Sequence, residues 1–371
     1  MNNPDVNCLK RGKTPDSCIL TVIMPVYQCV DYLEEALDSL LDQNIADFEL
    51  ICIDDGSTDG STEVLLDYAE KDERLSVYQQ PHHGVGDARN VGIKMAVGKY
   101  LYFIDSDDIL MPFALEKMIT TAEKMDLDML CFEADHFYEN TCTEKELKFQ
   151  PIYRRQHTYP ECTEGENLFV QFCENREYYV PLWMMLCKRS LVVQNKLLFY
   201  SGVVHGDNVF FYNVIIRAKK AGYLKEALYN RRIRPGSIMT SGDFLRSSYS
   251  YAINCNLLWK NYVALKGTMS TDARKWSIAR MDLMIQQSIN EYRKAFLQNG
   301  EETRAEDRMD TPFDKLIAQR VETDIKYENN IRRMENTLQD KERELQEITN
   351  SRLYRILCQI RRVYRSIIKN K

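Results

Sequence analysis

Tyr100-Leu101-Tyr102-Phe103-Ile104-Asp105-Ser106-Asp107-Asp108 decides the fold, because five apolar residues run straight into three carboxylates. The apolar part reads as a buried strand, so the acidic cluster falls at its carboxyl end. Carboxylates crowded at the mouth of a buried strand repel one another and lose hydration unless a cation or ligand compensates them. In open α/β sheets, ligands bind outside the carboxyl ends of the strands. Hard oxygen ligands with room for phosphate oxygens suit Mg²⁺ or Mn²⁺. The stretch is therefore expected to hold a metal bound to a nucleotide diphosphate. The plainer alternative is an Asp-rich turn that caps a helix starting near Pro112.

Working outward, strand and helix patterns alternate through the first 135 residues. Ile19 to Val26 is β-branched and apolar. From Asp31, an amphipathic helix places Leu33, Ala36, Leu37, Leu40 and Leu41 on one face. Phe48 to Ile53 is a second buried strand, ending in Asp54-Asp55-Gly56-Ser57, and a helix with Val64, Leu65 and Tyr68 follows. Leu75 to Tyr78 is a third strand, and a helix near Ala88–Ala96 leads to the strand that ends at Asp105. Such alternation implies βαβ units and a mostly parallel sheet covered on both faces.

The rest of the chain is less regular. Residues 136–200 mix charged, aromatic and short apolar pieces. Residues 245–300 read as helical, with Trp259, Tyr262, Trp276 and Met281–Ile285 as core. The expected organisation is a flexible segment over 1–18 and an α/β domain over 19–240. That domain divides into a nucleotide-binding half, about 19–135, and an acceptor half, about 136–240. A packed helical region over 241–300 and C-terminal helices over 313–371 complete it. Ile331, Met334, Leu338, Leu345 and Ile348 carry a short heptad-like spacing, which allows a coiled coil and a homodimer. After Glu347 there is no acidic residue. Leu353, Leu357, Ile360, Tyr364 and Ile367 make an apolar stripe flanked by arginines. A basic amphipathic helix of this kind suits an anionic membrane surface, or else docks on its own protein.

The net charge of −6 gives no reason to expect a nucleic acid partner. Eleven cysteines without a Cys-x-x-Cys pair argue for reduced thiols and a cytoplasmic location. No run approaches the roughly 18–20 apolar residues that span a bilayer, so the protein is expected to be soluble or peripheral on the inner face of the cell membrane. Gly84-Val85-Gly86 precedes a helix, but Arg89 stands where a dinucleotide fingerprint has its third glycine. A nicotinamide dehydrogenase is therefore disfavoured.

Four strings lie in register: TVIMPVYQCVDYLEEALDSLLDQ (21–43), FELICIDDGSTDGS (48–61), GVGDARNVGIKMAVGKYLYFIDSDD (84–108) and MPFALEKM (111–118). Together they resemble glycosyltransferase family 2, whose members have the GT-A fold and use nucleotide-sugar donors. Farther on, GVVHGDNVFFYNVIIRAKKAGYL (202–224) and LYNRRIRPGSIMTS (228–241) look like bacterial members that build surface polysaccharides, more loosely.

The resemblance implies roles residue by residue. Pro25, Val26 and Tyr27 would line the base pocket, and Asp54 or Asp55 would meet the base or ribose. Arg89 would approach the ribose or phosphates. Asp105 and Asp107, with Ser106 between them, form the family's Asp-x-Asp. Asp107 would be the leading ligand of Mn²⁺ or Mg²⁺, and Asp105 a ribose contact that also faces the metal. Arg232 and Arg234 would fold over the diphosphate, unless they are ordinary surface arginines. The base that deprotonates the acceptor hydroxyl would be Asp207, although Gly206 replaces the glutamate that often precedes it. His205 reads as a structural histidine and Trp183 as core. The implied reaction is inverting transfer from a nucleotide-sugar, UDP-sugar favoured, to a glycan or lipid-linked glycan acceptor. The alternative is a catalytically silent GT-A-like scaffold subunit. Nucleotidyl transfer fits less well, because the glycine-rich phosphate loop it needs near the N-terminus is missing.

Overall fold

The computed structural model describes residues 5–15, 17–236 and 243–299. The heptad-like segment and the basic C-terminal stripe lie outside the described residues. In chain order the elements begin β1 (Asn7–Lys10), β2 (Leu20–Val26), α1 (Val30–Leu41), β3 (Phe48–Asp54), α2 (Ser61–Lys71), β4 (Leu75–Gln79), α3 (Val85–Met95) and β5 (Tyr100–Phe103). They continue with β6 (Ile109–Leu110), α4 (Ala114–Met125), β7 (Met129–Tyr138), α5 (Glu144–Leu147), α6 (Gly165–Glu174), β8 (Met185–Lys188) and α7 (Arg189–Gln194). The last are α8 (Asp207–Arg217), β9 (Ala221–Ile233), α9 (Phe244–Leu265) and α10 (Thr271–Asn299).

The strands form one sheet in the order β1-β4-β3-β2-β5-β8-β7-β9-β6. β4, β3, β2 and β5 run parallel, as βαβ connections require. Beyond β5 the sheet departs from the mostly parallel expectation. β8 pairs antiparallel with both β5 and β7, and β6 pairs antiparallel with β9, while β7 and β9 are parallel. The sheet beyond β5 is therefore mixed, and its pairings join residues too far apart in sequence for local pattern to reveal them. A second correction concerns the segment 1–18, expected to be flexible. Asn7–Lys10 adds an antiparallel edge strand to β4.

Side chains alternate across the buried central strands, so each strand feeds both cores. Val22, Met24, Leu50, Cys52 and Tyr102 pack under Leu33, Leu37, Leu65 and Met118 from α1, α2 and α4. Ile23, Ile51, Leu101 and Phe103 face the opposite layer with Val91, Phe169, Phe210 and Met284 from α3, α6, α8 and α10. α9 and α10 approach closely through buried serines, with Ser248 Oγ donating to the Ser288 carbonyl at 2.8 Å and Ser288 Oγ returning a bond to Ser248 O at 2.9 Å. Of the helical core expected there, Tyr262, Met281 and Met284 are buried, whereas Leu283 points outward at 43% exposure. Met281 and Met284 are three residues apart on one face of α10, and Leu283 between them falls on the opposite face.

Gly98 brings the end of α3 against β2. Its N–H donates to Thr21 Oγ1 at 2.9 Å, and a Cβ there would lie 2.4 Å from the Thr21 backbone nitrogen. Gly98→Ala is expected to cost about 1–3 kcal/mol of stability, read as a lower urea midpoint with an unchanged slope.

Candidate active site

The acidic cluster after β5 separates into two kinds of carboxylate. Asp108 is buried at 3% exposure, while the Asp105 and Asp107 side chains remain 37% and 22% exposed. Asp108 Oδ2 accepts from the Tyr229 hydroxyl at 2.6 Å and Oδ1 from the Arg232 backbone N–H at 2.8 Å. Burial, together with the charges of Asp107 and Asp105, pushes its carboxyl well above the ordinary aspartate value. Trp183 stacks on Tyr229 with ring centres 4.5 Å apart, so it braces the residue that holds Asp108 and belongs to the core. Asp108→Ala strands two buried donors and is expected to cost about 2–4 kcal/mol in urea unfolding.

The two open carboxylates each meet an arginine. Arg89, on α3, donates from Nη2 to Asp105 Oδ1 at 2.8 Å, and its guanidinium also lies over the Phe199 ring. Arg234 donates from Nε to Asp107 Oδ2 at 2.7 Å and covers the Tyr32 ring. Arg232 has a different place from the one expected. Its side chain is only 4% exposed, and its guanidinium joins Glu35 and Glu139 while Nε donates to the Asp107 carbonyl at 2.7 Å. It acts as a strut between β9, α1 and the acidic turn. Ser106 is buried and accepts from Cys29 Sγ at 3.2 Å, which ties the turn to the start of α1.

On the other side of β2, Pro25 and Val26 are buried, and Tyr27 exposes 44% of its surface at the strand's carboxyl end. The Tyr27 ring stacks on His82, with centroids 4.1 Å apart. Asp54 is enclosed: it accepts from Ser57 N–H, Thr62 Oγ1 and Gln79 Nε2 and so holds the loop to α2 and β4. Asp55, also buried, accepts from Gln80 Nε2 at 2.6 Å and from the N–H groups of His83 and Gly84. His82 Nδ1 lies 2.8 Å from Asp55 Oδ2, so Asp55 is the member of the pair that adjoins the aromatic stack. Gly84 turns with φ +97° to present that N–H at the start of α3, a conformation that favours glycine.

Asp207 opens α8, and its Oδ1 accepts from the Asn208 N–H at 3.0 Å. Burial raises its carboxyl above the ordinary value, against the opposing pull of the Arg89 guanidinium. Arg89 is thus bonded to Asp105, and its charge also favours the ionised form of Asp207. His205 adopts φ +59° and stacks on Tyr251 at 4.5 Å. Burial lowers its pKa and favours the neutral ring. Gly206 is not demanded by its backbone, since φ is −65° and an added Cβ would meet only Phe199 Cδ1, at 3.5 Å.

Sequence reasoning missed Asp108, Tyr229, His82, Gln80 and Glu35. Only Asp108 carried a signal, as the third carboxylate of the turn. The others reach the site from distant elements. Among the described residues, no group of three or more His, Cys, Asp or Glu side chains could hold a metal by itself. Asp107 and Asp105 nevertheless suit a hard cation that draws its remaining ligands from phosphate oxygens and water, because both are oxygen donors at a partly open turn.

The profile described as "Glycosyl transferase family 2" matches residues 21–185. The glycosyltransferase GlyG of Streptococcus pneumoniae serotype 4 is 30% identical over 234 residues, which cover 60% of this chain and 73% of GlyG. This chain belongs to glycosyltransferase family 2. It is also 31% identical over 219 residues to the glycosyltransferase YibD of Escherichia coli K12, covering 59% of this chain and 62% of YibD. The match thus spans about three-fifths of that relative. Among solved structures, S. aureus TarS 1-349 in complex with UDP-GlcNAc superposes with a TM-score of 0.55 at 21% identity, over 78% of this chain and 77% of that one. Mannosyltransferase PcManGT from Pyrobaculum calidifontis, in complex with GDP-Man and Mn²⁺, gives 0.52 at 14% identity, over 86% and 84%. These likenesses show the shared GT-A fold. Among the described residues, no helix is long and apolar enough to cross a membrane.

Proposed function

We propose that this family 2 member is a metal-dependent, inverting glycosyltransferase. It moves a sugar from a nucleoside-diphosphate sugar, UDP-sugar favoured, to a hydroxyl of a glycan acceptor. The acceptor is lipid-linked and belongs to bacterial surface-polysaccharide synthesis at the inner face of the membrane, where the basic C-terminal stripe assists. One observation carries the reading. Two partly exposed carboxylates, each held by an arginine, follow β5, and an exposed aromatic ring closes the neighbouring β2 at the same carboxyl edge. The complexes of TarS with UDP-GlcNAc and of PcManGT with GDP-Man and Mn²⁺ support the donor class and the metal.

Tyr27 offers its exposed face to the nucleobase, with Asp55 behind the stack. Asp107 and Asp105 would hold the divalent metal, whose charge would neutralise the diphosphate so that it leaves unprotonated. Arg89 and Arg234 stand ready to donate to phosphate oxygens once those carboxylates turn to their other partner. Asp207 takes the proton of the acceptor hydroxyl. That oxygen attacks the anomeric carbon, and the bond from that carbon to the phosphate oxygen breaks in the same displacement. A single displacement of this kind inverts the anomeric centre.

The test is a thermal-shift screen of UDP-, GDP-, CMP- and dTDP-sugars with and without Mn²⁺. One nucleotide class is expected to stabilise the protein only with the metal. Tyr27→Ala should weaken that binding about tenfold or more, through lost base stacking. No shift with any donor would move the reading to a silent scaffold.

A further inference from the structure

A cavity of about 270 Å³ lies between the 195–200 segment, α8 and α9. Its volume falls just below the roughly 300–1,000 Å³ of drug-sized sites, so it has space for a small ring and not for a large cofactor. Asn195, Asn213, Asn254 and Asn261 line it, together with Phe199, whose ring stacks on Phe210, and the exposed Tyr200. Its lining holds no carboxylate and a single cation, Lys196, which argues against a metal or a phosphate as its occupant. Amides beside aromatic rings suit a neutral ring with hydroxyls on its edge and C–H groups on its face.

Asn254 supplies the second observation. It is completely buried, and its Nδ2 is fixed by bonds to the carbonyls of Val204 at 3.1 Å and His205 at 3.0 Å. That orientation turns Oδ1 away from those carbonyls, and Oδ1 has no hydrogen-bond partner. A buried acceptor in this state calls for a donor such as a hydroxyl. The same asparagine holds the two residues that lead through Gly206 to Asp207. Gly206 itself forms part of the wall, where an added Cβ would meet only Phe199 Cδ1, at 3.5 Å.

We propose that this cavity is a glycan subsite that binds one neutral sugar ring of the acceptor, away from the hydroxyl that reacts. The proposal rests on the glycosyl-transfer reading and adds a place for the acceptor chain. A sugar seated on Asn254 touches the residue that positions the approach to Asp207, so occupancy and base placement are linked through one side chain.

The experiment is saturation-transfer NMR on the full chain, without nucleotide or metal. The probes are methyl β-D-glucopyranoside, methyl β-D-galactopyranoside and methyl N-acetyl-β-D-glucosaminide. At least one is expected to give a saturable signal that persists in Asp107→Ala. Asn261→Trp, at a half-buried position, should fill the cavity and abolish the signal while leaving donor-induced thermal shifts intact. Asn254→Leu should weaken binding about tenfold. That variant also strips the Val204 and His205 carbonyls of their donor, so Asn261→Trp decides the matter. No signal from any glycoside, in protein that still binds a nucleotide-sugar, overturns the subsite and leaves the transferase reading standing. A signal unchanged in Asn261→Trp also overturns it. Glycoside binding lost in Asn261→Trp, in protein that binds no donor, supports the subsite and removes the transferase reading instead.

Discussion

Replacing Asp207 with asparagine is expected to lower kcat for sugar transfer by about 10²- to 10⁴-fold and to leave nucleotide-sugar binding unchanged. The amide keeps the size of the side chain and removes its ability to accept the acceptor's proton. The pH profile gives a second, independent readout. Burial raises the Asp207 carboxyl above its ordinary value, and the base works only when deprotonated. Activity should therefore rise with pH through that raised pKa and vanish as pH falls below it, and the asparagine variant should lose this acid limb. The stability effect has the opposite sign. The folded state holds this proton more tightly than the unfolded state, so above the unfolded pKa the ionised carboxyl disfavours folding. Asp207→Asn should accordingly unfold at the same or a higher urea concentration at pH 7. A variant with wild-type kcat would remove Asp207 as the base.

Asp107→Ala is expected to abolish Mn²⁺-dependent stabilisation by the nucleotide-sugar and to reduce kcat/KM by about 10³-fold or more. A metal-stabilised leaving group is worth several kcal/mol, which corresponds to that factor. Stability without ligand should change little, because the Asp107–Arg234 pair is partly solvated and such pairs contribute up to about 1 kcal/mol. This contrasts with Asp108→Ala, which should unfold the turn without having touched substrate. Isothermal titration of Mn²⁺ with donor present separates the two. Metal binding that survives in Asp107→Ala but not in Asp105→Ala would exchange the roles assigned to these aspartates.

The stretch from β2 to β5 was legible because its signals are local. Leu33, Ala36, Leu37 and Leu40 are buried along α1 as their helical spacing required. The runs expected as strands became β2, β3, β4 and β5 with shifts of a residue at their ends. The later strands were not legible in the same way. β7 pairs with β9 across some ninety residues, and Met129 opposite Ala221 has no short-range signature. Arg232 looked like a phosphate ligand because its chemistry allows that role. Its burial against Glu35, nearly two hundred residues away, is visible only in three dimensions.

The sequence by itself determined the family, the alternation of strands and helices from β2 to β5, and the types of residue gathered at the strand ends. Spacing along the chain carries that information, since periods of two and 3.6 residues are properties of neighbours. Only the tertiary structure decided what each charged group does. It left Asp105 and Asp107 open and sealed Asp108 under Tyr229. It made Asp54 a brace and set Asp55 beside the Tyr27–His82 stack, and it hollowed a cavity against Gly206. The reason is dielectric as much as geometric. The same carboxylate is a ligand, a base or a strut according to how much water and which distant partner folding leaves beside it.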